Sequence, residues 1–102
     1  MTGTVSVLPT ASPSSGSVTS SFDVRWASDA MPDYVFNVQY RFRGAGSSRW
    51  GSWRNQLSRT TLTGMGFVPD QGRGTYQFRA ALRNDMTRRA SRYSAAATIS
   101  VT

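Results

Sequence analysis

The chain contains no cysteine, no histidine, no lysine and no glutamate. Without cysteine there are no disulfides and no thiolate metal sites. With histidine also missing, a zinc site would have to be assembled from carboxylates, and only five aspartates are present. Ser–His and Cys–His nucleophiles are excluded on the same ground. The five aspartates are scattered, mostly beside turns, and are a poor basis for two carboxylates facing one another across a cleft. No glycine-rich phosphate loop leads into a helix. No apolar run approaches the roughly 18 residues a membrane helix needs, and no charged-then-apolar signal pattern is visible near Met1. The expectation is a non-catalytic chain with no cofactor, no metal and no membrane span.

What is present is one domain, residues 1–102, long enough to bury roughly two thirds of its unfolded surface. All twelve basic residues are arginine, and the net charge is +7. The charge is unevenly placed. Residues 1–40 carry Arg25 against Asp23, Asp29 and Asp33, whereas the remaining eleven arginines meet only Asp70 and Asp85. A basic half implies an acidic partner such as nucleic acid, an anionic glycan or a membrane surface. Arginine usage in a GC-rich genome accounts for the same composition without any partner.

Alternation is the strongest structural signal. In residues 75–83, Tyr76, Phe78, Ala80 and Leu82 are apolar while Gln77, Arg79 and Arg83 are polar, with Ala81 neutral. A period of two sends successive side chains to opposite faces of an extended backbone, which predicts a half-buried central strand. In residues 18–27, Phe22, Val24 and Trp26 share one face, and Trp26 is assigned to the core. In residues 34–43, Phe36, Val38, Tyr40 and Phe42 oppose Asn37, Gln39, Arg41 and Arg43. A glycine-rich turn follows at 44–48, then Trp50 and Trp53. Three residues apart on a regular strand, the two rings would point to opposite sides unless a bulge at Gly51–Ser52 re-aims one.

Weaker signals complete the chain. Residues 4–8 read as an edge strand, broken by Pro9 and Pro13 or continued as a linker. Residues 59–64 read as a strand with Leu62 as its core contact. Residues 64–74 read as a long connection whose Phe67 and Val68 plug the core. A polar, basic loop spans 84–92, and a last strand over 93–102 turns Ala95, Ala97, Ile99 and Val101 inward. About seven short strands and no helical period predict an all-β, two-sheet antiparallel β-sandwich or a small barrel.

On these residues the chain resembles a fibronectin type III domain over nearly its whole length, within the wider immunoglobulin-like class. Phe22, Val24 and Trp26 look like that family's second strand with its buried tryptophan. Phe36-Asn37-Val38-Gln39-Tyr40-Arg41 is similar to its third strand, and Tyr76-Gln77-Phe78-Arg79-Ala80 to its Tyr-x-Phe-Arg-Val segment. Tyr93-Ser94 stands where the family often has Trp-Ser. The resemblance is strongest to modules appended to secreted enzymes and adhesins of GC-rich bacteria, which often carry a Trp-x-x-Trp after the third strand. It implies a tyrosine-corner hydrogen bond from Tyr76 to the preceding loop. It also implies an accessory module in an extracellular, cell-surface or virion protein, partnered by neighbouring domains or another protein. The 64–74 connection is longer than the family's usual turn, and the 84–91 loop lacks an Arg-Gly-Asp tripeptide. Trp50-Gly51-Ser52-Trp53 also departs in spacing and position from the tryptophan box of cytokine receptors.

With that strand order, Arg41 and Arg79 point outward side by side, with Arg83 further along and Trp50 and Trp53 nearby. The candidate binding residues are therefore Trp50, Trp53, Arg41, Arg79, Arg83, Arg88 and Arg89. One expectation is a stacked Arg–Trp ladder that stiffens the sheet. The alternative is a carbohydrate- or anionic-polymer-binding face. Nucleic acid is disfavoured, since it calls for clustered arginines that track phosphates together with exposed aromatics; the loop arginines Arg88, Arg89 and Arg92 are the best local candidate for it.

Overall fold

Eight strands follow one another: β1 (Thr10–Ser12), β2 (Ser15–Gly16), β3 (Phe22–Arg25), β4 (Tyr34–Gly44), β5 (Arg54–Thr60), β6 (Gly64–Phe67), β7 (Gly74–Asn84) and β8 (Ala97–Val101). The computed structural model describes residues 9–27 and 32–102, and no helix occurs among them. The edge strand expected at 4–8 and most of the turn carrying Asp29 lie outside the described residues.

The strands form two sheets, β1-β3-β6 and β2-β8-β7-β4-β5, packed as a β-sandwich. All neighbours are antiparallel except β2 and β8, which are parallel. Pro13 lies between β1 and β2, after the expected edge strand. β1 pairs with β3 and β2 with β8, so the chain passes from one sheet to the other. β7 lies in the middle of the larger sheet, as its alternation requires. Tyr76, Phe78 and Ala80 are fully buried there, against Phe36, Val38 and Tyr40 of β4.

The core joins these residues to Phe22, Val24 and Trp26 of the smaller sheet, to Phe67, and to Ile99 and Val101. Phe67 stands edge-on to Phe78 at 4.8 Å and to Tyr76 at 5.3 Å, tying the two layers together. Such pairs contribute about 0.5–1.5 kcal/mol each beyond the area they bury. Trp26 is 1 % exposed, and its indole N–H donates to the Leu62 carbonyl at 2.8 Å. The Tyr76 hydroxyl donates to the Gly72 carbonyl at 2.7 Å and accepts from the Gln71 amide at 2.9 Å. This closes the expected corner. Gly74 sits at φ +149°, where a Cβ would lie 2.2 Å from the Arg43 carbonyl oxygen, so only glycine fits beside β4.

Several expectations are corrected. The strand expected at 59–64 ends at Thr60, and Leu62 is 54 % exposed; Leu57 packs on the core instead. A bulge turns Leu57 inward: Phe36 pairs with Thr60 but Val38 with Leu57, and Arg59 takes up the extra residue at φ 51°. The first third of the 64–74 connection is a strand, because Gly64 lets β6 approach Val24 of β3; a Cβ there would be 2.9 Å from the Val24 carbonyl. Phe67 is buried as expected, but Val68 is exposed, since alternation in β6 turns it outward. The last strand begins only at Ala97, and Ala95 is exposed. Before it, Ser94 and Ser91 follow β7 through irregular hydrogen bonds to Ala80 and Leu82.

Candidate functional site

Alternation along β4 and β7 delivers a polar outer face to the five-stranded sheet. The register pairs Gln39 with Arg79 and Arg41 with Gln77, so each arginine stands directly across from a glutamine. Arg41 donates to the Gln77 Oε1 from Nε at 2.9 Å and from Nη2 at 2.7 Å. Arg79 does the same to Gln39, at 3.0 and 2.7 Å. The glutamines are held in turn: Gln39 donates to Asn55 Oδ1 of β5 at 3.0 Å, and Gln77 to Thr98 Oγ1 of β8 at 3.4 Å. Two neighbouring amide–guanidinium rungs result, Thr98–Gln77–Arg41 and Arg79–Gln39–Asn55, each crossing three strands.

Tryptophans descend onto these rungs from the 45–53 excursion. The chain turns at Gly46, whose φ is +79°, and the Gly51 amide returns to the Phe42 carbonyl at 2.8 Å. Residues 50–53 are not a regular strand, so their side chains escape strict alternation and both rings reach the same face. The expectation that they point apart is thus corrected. The Arg41 guanidinium lies 4.5 Å from the Trp50 ring centre and 4.6 Å from that of Trp53. Arg43 lies 5.0 Å from Trp50, and Arg79 lies 4.0 Å from Trp53 and 4.4 Å from Tyr93. The contacts run Arg43–Trp50–Arg41–Trp53–Arg79–Tyr93 without a gap. Each is a cation–π contact of about 0.5–1 kcal/mol at an exposed site.

Four of the seven candidate residues, Arg41, Arg79, Trp50 and Trp53, are therefore brought together. Arg83 shares the face but lies beyond Ala81, outside the stack, and its Nε is buried with no hydrogen-bond partner among the described residues. Arg88 and Arg89 sit in a separate exposed turn. There Asn84 Oδ1 accepts from the amides of Met86 and Thr87, its carbonyl accepts from Arg88, and Arg88 adopts φ 62°. Arg43, Tyr93, Gln39 and Gln77 belong to the site although they were not singled out. Alternation had already placed Arg43 and Gln39 beside Arg41. Tyr93 was legible only in the Tyr93-Ser94 resemblance, because its approach to this face depends on an irregular segment.

Charge on this face is not balanced locally. Only Arg25 and Arg59 form ion pairs among the described residues, with Asp23 at 3.0 Å and Asp85 at 2.7 Å. Away from this face, burial pushes the Tyr76 hydroxyl above the usual value of 10.0, and the Gln71 amide partly offsets this. A shallow hollow of about 340 Å³ opens between Tyr34, Leu82, Thr87 and Arg89. No cluster of three metal-ligating side chains occurs among the described residues. Compared with family models, curated proteins and solved structures, the chain shows no significant match to any of them.

Proposed function

We propose that the chain is a fibronectin type III-like module, a non-catalytic accessory or interaction domain of a secreted, cell-surface or virion protein. The strand order β1-β3-β6 against β8-β7-β4-β5 supports that kinship, as do the buried Trp26 and the Tyr76 corner. The functional reading rests on one observation. The largest organised set of functional groups is a flat, self-stacked sheet face, whereas catalysis calls for groups converging on a concave, water-excluding site.

That face also argues against a sugar platform, the second reading. A polysaccharide ring stacks on an open indole face, and each indole here already carries two guanidinium groups. Co-sedimentation with insoluble cellulose, chitin and xylan tests the choice. The module reading expects the chain to remain in the supernatant. Retention that disappears in W50A or W53A would replace it with the carbohydrate-binding reading.

A further inference from the structure

We propose that the arginine face is a docking strip for an extended acidic peptide with carboxylates at every second residue; this rests on the interaction-module reading and names its partner. Spacing is the first ground. Arg43 and Arg41 are two residues apart on β4, and Arg79 stands opposite Gln39, one two-residue step further along. Three guanidinium-bearing positions thus succeed one another at about 6.8 Å intervals along the strand direction. Same-face side chains of an extended peptide recur at that same interval of about 6.8 Å.

The second ground is charge. Arg41 and Arg79 are fixed by neutral amide oxygens, and neither they nor Arg43 meet a carboxylate among the described residues. If the ladder served stiffness alone, an acid at position 39 or 77 would hold it more strongly. Glutamine instead orients the guanidinium and leaves its charge intact. The third ground is preorganisation. Nε and Nη2 are committed to glutamine, and Nη1 of each guanidinium makes no hydrogen bond among the described residues, which leaves it for an acceptor. Little side-chain entropy remains to be lost on binding. Single-stranded nucleic acid fits less well, because base stacking needs the ring faces that the arginines already occupy.

The test titrates the folded chain with a peptide of alternating glutamate and threonine about ten residues long. An isomer with all glutamates in one block and a neutral glutamine–threonine peptide serve as comparisons, with indole fluorescence as the readout. The alternating peptide should bind several-fold more tightly than the block isomer, and the neutral peptide should not bind. R41Q/R79Q should weaken binding roughly tenfold or more, as expected for losing charge-assisted forks. R88Q/R89Q, with the same loss of charge in a different place, should change it less than about twofold. If R41Q/R79Q does not fold, R41K/R79K decides, since it keeps the charge and loses the fork; it should still weaken binding several-fold. Equal affinity for the alternating and block peptides, or equal sensitivity to R88Q/R89Q, would overturn the proposal. Tighter binding of oligothymidylate or heparin through Arg41 and Arg79 would reassign the face to another polyanion. If no peptide binds, this proposal fails while the module reading stands, because sedimentation with polysaccharide tests that separately.

Discussion

Replacing Tyr76 with phenylalanine isolates the corner hydrogen bonds from everything else the ring does. The ring is fully buried and packs on Phe42 at 4.7 Å and Phe67 at 5.3 Å, contacts that phenylalanine retains, so no cavity opens. What is lost is one bond donated to Gly72 and one accepted from Gln71. Each contributes about 0.5–1.5 kcal/mol net. Gln71 is exposed and its amide can turn to water, which holds the total near 2 kcal/mol. For a domain of this size that lowers Tm by about 10 °C. Urea denaturation followed by indole fluorescence reads the difference directly, with an unchanged m-value.

The same variant has a signature in alkali. Burial, the largest cause, raises the Tyr76 pKa, so the folded chain holds that proton more tightly than the unfolded chain does. Its stabilising contribution is complete below the ordinary value of 10.0 and is lost as pH climbs through the raised value. The gap between wild type and Y76F should therefore be constant from neutral pH to about pH 10 and shrink above it. A gap under about 0.5 kcal/mol at pH 7, or one that persists unchanged into strong alkali, would refute the corner's role.

Two further substitutions probe the frame around the site. G74A drives a Cβ into the Arg43 carbonyl at a backbone angle only glycine tolerates, and should cost more than about 3 kcal/mol by urea denaturation. L57A should cost about 1–2 kcal/mol, in keeping with its partial burial, while L62S stays within about 0.5 kcal/mol. The reverse order would restore Leu62 to the core and move the β5 bulge.

Most of the sandwich was legible because period-two alternation is a direct record of which side of a sheet is dry. It located β4 and β7 and the inward faces of Trp26, Tyr40 and Phe78. What alternation cannot register is its own interruption. The register shift beside Arg59 turned Leu57 inward, and the strand ended at Thr60 and left Leu62 beyond it in water, though leucine in a β-branched run looks like a core residue. The tryptophans illustrate the same limit from the other side. Their convergence comes from a stretch with no strand geometry, tied back to β4 by the hydrogen bond from the Gly51 amide to the Phe42 carbonyl. Arg41 and Arg79 were legible as outward neighbours, but their clamping by glutamine depends on register, which no single strand's sequence states. Ala81 shows it too: it is neutral in the pattern, yet 2 % exposed on the outer side of the sheet.

The parallel pairing of β2 with β8 has a mechanical corollary. Because the two strands run the same way, tension pulling β2 back toward its beginning and β8 on toward its end slides one along the other. The bonds from Ser100 to Ser14 and from Thr102 to Gly16, both 2.9 Å, then resist together instead of opening in succession like a zipper.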